Sequence, residues 1–276
     1  MIAIVCAMSS EVKPIKAQMN VLKTFCEGSA TFYQAELNGF PITIVQSGIG
    51  RDKAATATGR LLQLFKIHLV ISAGFAGGLQ KKINIGDLII AKNVLYTKHS
   101  EHQTHESNPP LPPFSKGGQG GLKAVSNLPC EPSFVRLAMD IANEEGLKIH
   151  VGDIVTVDEM IAQSKTKMFL GENFSALAVD METAFVGQVA SNAGIPCVSV
   201  RSISDDVADD IVVDFRRFVD DAGNVKFRSA LSQILNVVPH IVHLRQLYKQ
   251  AKIAASTLAV FLPHFITSLY NQPTFL

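Results

Sequence analysis

The chain has no excess of charge of either sign: 25 lysines and arginines stand against 24 aspartates and glutamates in 276 residues. That balance offers no electrostatic case for a nucleic-acid partner. Paired metal spacing is missing as well. Cys6, Cys26, Cys130 and Cys197 stand far apart, and Cys6 ("IAIVCAM") and Cys197 ("IPCVSV") lie inside apolar runs, where a small buried thiol is the expected role. No metal is therefore expected. No run reaches the roughly 20 apolar residues of a membrane span; the longest, "IAASTLAVFL" (Ile253–Leu262), stops at Pro263. The N-terminus lacks a basic leader. "MIAIVCAMSSEV" meets its first charge after ten residues and reads as a first strand rather than an export signal. A cytoplasmic protein is expected. The glycine loops lack the Gly-Lys-Ser/Thr pattern that cradles phosphates, which excludes a nucleoside triphosphate site.

What remains is enough apolar material for one large domain, with 47% hydrophobic and 18% charged residues. Short β-rich runs alternate with helical patterns. "MIAIVCA", "PITIVQS", "HLVISAG", "GDLIIAKNVLY", "HVGDIVTV", "ALAVDM" and "PCVSVRSIS" read as strands, several apolar on consecutive residues as in strands covered on both faces. Ser9–Asn20, Asp52–Phe65, Pro132–Gly146 and Glu182–Ala193 have helical spacing. The order predicts an α/β fold. Two segments break it. Residues 106–127 ("ESNPPLPPFSKGGQGGLKAVSN") are too rich in proline and glycine for a helix or central strand and read as a surface insertion. From about Val225 the tail reads as one or two helices interrupted at Pro239 and Pro263, packed on the domain or on a sister subunit, or presenting an apolar face to a membrane. Residues 1–224 are thus expected to form the domain and 225–276 a helical extension.

Three groups sit at predicted strand ends, where open α/β sheets bind ligands. Glu11 follows strand one in a first helical turn, where the helix dipole favours a carboxylate, and is a capping acid or a catalyst. "SGIGRDKAA" and "SAGFAGGL" supply glycines that let backbone approach a ligand. "VRSISDD" places Arg201 inside a strand, where it needs an acid such as Asp205 or Asp206, and Asp205 at the strand end could donate a proton. "LAVDMETAF" adds Asp180 and Glu182, with strand alternation putting both on one face.

These elements, in this order from residue 3 to about Asp206, resemble the nucleoside phosphorylase superfamily, and within it the methylthioadenosine/S-adenosylhomocysteine nucleosidases. The most specific signals are "AVDMETAF" and "VRSISD". The resemblance implies a single domain with a central mixed, mainly parallel twisted sheet flanked by helices, and a homodimer or higher oligomer. It implies cleavage of a purine (adenine) nucleoside carrying a 5′ substituent, with no cofactor. Asp205 resembles the acid at purine N7, with Ser204 as its helper. Glu182 resembles the carboxylate that binds ribose hydroxyls, over Met181, and Glu11 the base that activates water. Met160 and Ile161 fall where the base is sandwiched, and Arg201 shapes the site. Ser47, Gly48 and Ile49, with Phe75, Ala76 and Gly77, are the loop residues expected to contact substrate.

The chemistry is coherent on its own terms. A purine leaves poorly as an anion and needs an acid near its ring nitrogen. The ribosyl centre becomes cationic and is stabilised by carboxylates. Two departures from the family pattern matter. Phe75 stands where phosphorylases of the superfamily carry a small hydroxyl residue for phosphate, which favours water as acceptor, although Arg51 could supply charge. Met160 stands where an aromatic is usual. The segment "DFRRFVDDAG" is similar to the hopanoid-associated phosphorylase branch, which implies phosphorolysis of an adenosyl group on a triterpenoid lipid as the alternative activity. A non-catalytic nucleoside-binding protein is the alternative of another class.

Overall fold

The structure, a computed structural model, describes residues 1–98, 126–209 and 241–272. The expected α/β domain is present. β1 (Ile2–Cys6), β4 (Phe40–Gln46), β5 (Leu69–Gly78), β6 (Leu88–Tyr96), β8 (Ile149–Thr156), β9 (Ala178–Asp180) and β10 (Cys197–Asp205) match the seven runs read as strands. β1 is buried along its whole length, and so are most residues of β5 and β10, as consecutive apolar residues require of strands covered on both faces. α2 (Arg51–Leu64), α3 (Pro132–Glu144) and α5 (Thr183–Asn192) fall within a residue or two of the helical patterns.

Local departures have local causes. α1 (Ser9–Lys16) ends before Asn20 because that residue opens β2 (Asn20–Glu27), which pairs with β3 (Ala30–Leu37). β2 is an edge strand exposed along most of its length, so it carries no buried alternation for a periodicity reading to find. The hairpin β2-β3 and its antiparallel step onto β4 raise the antiparallel share of the sheet above expectation. α4 (Ser164–Phe174) was not anticipated either. β7 (Ser126–Pro129) begins inside the proline- and glycine-rich stretch and pairs with β6; the rest of that stretch, Pro239 and "DFRRFVDDAG" lie outside the described residues.

The sheet is mixed and runs β10-β6-β8-β9-β5-β1-β4-β3-β2, with β10 returning to pair with β5. Strands β5, β10, β6, β8 and β9 therefore close a ring. β1, β4, β5 and β10 run parallel, so their C-terminal ends open on one side, and the candidate residues gather there.

The tail forms α6 (Ile241–Tyr270), a single helix that Pro263 does not interrupt. Phe261, Leu262, Phe265, Ile266 and Leu269 on either side of the proline are fully buried in the main core. Tertiary packing thus outweighs the one backbone hydrogen bond a proline removes. The stretch Arg245–Tyr270 is long and apolar enough to cross a membrane by length and composition, with 56% of its most apolar window buried inside the protein. At its C-terminal end Tyr270 stacks on Phe40 at 4.4 Å between ring centroids. Its hydroxyl donates to the Pro41 carbonyl at 2.6 Å and accepts from the Ile2 N–H at 3.0 Å. Tyr270→Phe strips both partners at once, and urea unfolding should show a loss of about 1–3 kcal/mol; an unchanged midpoint would mean that α6 is not fastened to β1 in this way.

Candidate active site

The site is organised around Arg201, which the β10 pattern carries into the interior with 1% of its surface exposed. A guanidinium there needs a carboxylate and filled donors. Asp180 at the end of β9 supplies the charge, 2.8 Å from Nη2. Ser72 Oγ on β5 accepts from Nη2 at 2.9 Å, and Thr183 Oγ1 in the first turn of α5 accepts from Nε at 2.9 Å. Asp180 also accepts from Thr156 Oγ1 at 2.6 Å and from the Thr183 hydroxyl. Burial works against the charge of Arg201, but Asp180, Glu182 and Glu11 offset it and hold the group above its ordinary pKa. The partner of Arg201 is therefore Asp180, not Asp205 or Asp206.

Glu11 stands beside this pair. Its Oε2 accepts the N–H groups of Ala7 (2.9 Å) and Met8 (2.8 Å) as the chain enters α1, and Oε1 accepts from Phe75 N–H at 2.8 Å. It caps its own helix, as one of the two sequence readings expects, and also reaches β5. Gly74 makes this close approach feasible. A Cβ there would collide with Arg201 Nη1 and lie 2.6 Å from Glu11 Oε1. Burial raises the pKa of Glu11, against the pull of Arg201 and three backbone N–H groups.

Glu182 is the residue before α5 and lies beyond the end of β9, so strand alternation does not decide where it points. Asp180 turns inward to Arg201, while Glu182 Oε1 accepts from Gly50 N–H at 2.8 Å, in the loop between β4 and α2. Burial and the neighbouring Asp180 push its pKa up to about 7.

Asp205 ends β10 on the far side of β5. Its Oδ1 accepts from Ser204 Oγ at 2.8 Å, and Ser204 Oγ also lies 3.4 Å from the Ala76 carbonyl. A Cβ on Gly77 would lie 2.9 Å from Asp205 Oδ2. The ion partner of Asp205 is Lys167 on α4, at 2.6 Å and fully buried. Sequence reasoning missed this lysine. A signal was present, because Lys167, Leu170, Gly171 and Phe174 share the helical spacing of one buried face.

The other anticipated residues are distributed as follows. Ser47 is buried and its hydroxyl donates to the carbonyls of Cys6 and Gly48. Gly48 has φ +87°, and its N–H donates to the Ala7 carbonyl. Ile49, Phe75, Met160 and Met181 are half-buried. Ala76 is buried in the main core and Ile161 in a second apolar cluster with Val155, Val157 and Leu170. Among the described residues no cluster of histidine, cysteine, aspartate and glutamate could hold a metal ion.

A raised pKa for Glu182 is a statement about stability. The folded protein binds its proton more tightly than the unfolded chain, so ionisation of Glu182 opposes folding increasingly as pH rises from about 4.5 to about 7. Glu182→Gln, which retains an acceptor for Gly50, should gain on the order of 3 kcal/mol over the native protein at pH 8 and nothing at pH 4. Urea unfolding of both proteins at the two pH values measures this, and a gain independent of pH would refute it.

Comparison with known proteins follows the same lines. The sequence matches the Phosphorylase superfamily over residues 1–236. It is 32% identical over 224 residues to the 5′-methylthioadenosine/S-adenosylhomocysteine nucleosidase of Aeromonas salmonicida, covering 80% of this chain and 93% of that one. The fold resembles the Neisseria meningitidis nucleosidase of the same name, solved in complex with methylthio-immucillin-A, with a TM-score of 0.71, 22% identity and 97% and 98% of the two chains covered. It equally resembles the futalosine hydrolase of Helicobacter pylori, with a TM-score of 0.71, 23% identity and 97% of each chain covered. With a family match over residues 1–236 and a 32% identical relative covering 80% of its length, the chain belongs to the phosphorylase superfamily.

Proposed function

We propose that this protein hydrolyses the N-glycosidic bond of a purine nucleoside, releasing adenine from a ribose that carries a 5′ substituent. The observation that carries the proposal is the grouping of Glu11 and Glu182 around the buried Arg201–Asp180 pair, with Asp205 further along the same strand as Arg201. Asp205 lies four residues beyond Arg201 along the strand, about 13 Å at about 3.3 Å per residue, which suits a ribose at one end and a purine ring at the other. The names of the curated relatives support the substrate class.

The roles follow from the environments. Asp205 protonates or hydrogen-bonds purine N7 as the bond breaks, so the ring does not depart as a bare anion. Glu182 accepts ribose hydroxyls and, once ionised, places negative charge next to the developing ribosyl cation. Glu11 is oriented by three backbone N–H groups. Its raised pKa makes it a better base than an exposed carboxylate for taking a proton from water. Arg201 holds the carboxylates in place and is itself engaged by Asp180, Ser72 and Thr183.

Water is the acceptor on electrostatic grounds. A phosphate dianion entering beside Glu11 and Glu182 would meet two carboxylates, while Arg201 is already paired with Asp180 and Arg51, next to Gly50, is turned onto the Tyr96 and Phe185 rings. Adenine release from 5′-methylthioadenosine, S-adenosylhomocysteine, adenosine and an adenosylated lipid, each with and without inorganic phosphate, tests both statements. The expected result is release without phosphate and free sugar as co-product. No adenine from any substrate would overturn the proposal, and a strict phosphate requirement would overturn water as acceptor.

Glu11→Gln keeps the acceptor for Phe75 but removes the base, and should lower kcat by roughly 10²–10⁴-fold with little change in KM. A variant as fast as the native enzyme would remove Glu11 from the mechanism.

A further inference from the structure

We propose that Lys167 is the positioning residue of the purine acid: it orients Asp205 and stabilises the carboxylate that proton donation leaves behind. The inference rests on the role of Asp205 proposed above and adds the group through which that role is exerted.

Lys167 is fully buried in a helix whose neighbouring lysine, Lys165, is exposed. An ammonium has three protons and no acceptor, and each proton here has a target. Nζ donates to Asp205 Oδ2 at 2.6 Å, to the Asp206 carbonyl at 2.8 Å and to the Asp209 carbonyl at 3.1 Å. The last two contacts fasten the chain just beyond β10, so the segment carrying Asp205 cannot swing away from β5. Ser204 Oγ holds the other carboxylate oxygen at 2.8 Å. Between them, lysine and serine define the plane of the carboxyl group.

The fold makes room for this contact at two glycines. One turn after Lys167, on the same face of α4, Gly171 lies so close to the residue following β5 that a Cβ would collide with the Leu79 carbonyl oxygen. α4 can therefore lie against the end of β5, and Lys167 reaches across it. On the strand itself Gly77 leaves space for Asp205 Oδ2.

In the reaction the C1′–N9 bonding pair passes into the purine while N7 takes the proton of the Asp205 carboxyl. The negative charge then left on Asp205 faces the Lys167 ammonium across a charge-assisted hydrogen bond. Lys167 keeps its own protons. Asp205, an ion-paired carboxylate in the structure, takes up one proton from solvent before each turnover, and Glu11 takes one proton from the attacking water and releases it to solvent afterwards. A lysine that served folding alone would be indifferent to whether Asp205 can give up a proton.

That difference is measurable in a double-mutant cycle on adenine release by the full-length protein. In the native background Lys167→Met should lower kcat roughly ten- to hundredfold with KM changed less than about threefold. In the Asp205→Asn background the same substitution should cost less than about threefold, because its target is gone. Lys167→Arg, which retains the cation, should recover part of the loss, and it carries the same cycle if Lys167→Met does not fold. Equal losses in both backgrounds would overturn the assignment and leave the proposed function standing. No adenine from the native protein would overturn the proposed function itself, and full activity of Asp205→Asn would remove the acid through which Lys167 acts.

Discussion

The burial of one guanidinium constrains the centre of this protein. Arg201 sits in a strand paired on both sides, and removing its charge from water is tolerable only because Asp180, Ser72 and Thr183 meet it. Those partners lie on β9, β5 and the start of α5, while Glu11 arrives from α1. The arginine thereby sets where four elements meet. It also gives the surrounding acids a reason to be buried: each carboxylate around it is unfavourable alone and tolerable as part of the set. The close approach of α1 to β5 requires the absence of a side chain at Gly74.

Asp205 is held by a second, separate ion pair. Lys167 comes from α4, on the opposite side of the β5 terminus from α1, and its contacts tie down the carbonyls after β10 as well as the carboxylate. The two charge centres are joined by the last residues of β5, where Gly74 and Phe75 touch Glu11, and Ala76 and Gly77 touch Ser204 and Asp205. Glycine at 74 and 77 lets the backbone of this strand lie between the two charge centres at close range.

The C-terminal helix contributes by anchoring rather than by chemistry. Its aromatic and aliphatic side chains complete the core against β10, α1 and α3, and Tyr270 ties its end to β1 and β4. A helix apolar enough to span a membrane is here more than half buried at its most apolar stretch.

The sequence by itself determined seven strands of the sheet, the helices between most of them, and the identities of Glu11, Glu182, Arg201 and Asp205 as residues that need an explanation. Apolar runs and charged residues inside them are local facts, legible wherever the chain later goes. It did not reveal the edge strand β2, whose residues are too exposed to show a pattern, or the unbroken helix through Pro263, where packing overrides a local preference. Nor did it reveal which charges pair. Arg201 precedes Asp205 and Asp206 by only a few residues, yet it binds Asp180, and Asp205 binds a lysine 38 residues upstream. Only the tertiary structure could decide this, because strand pairing and helix docking, rather than proximity along the chain, bring buried charges within hydrogen-bond distance.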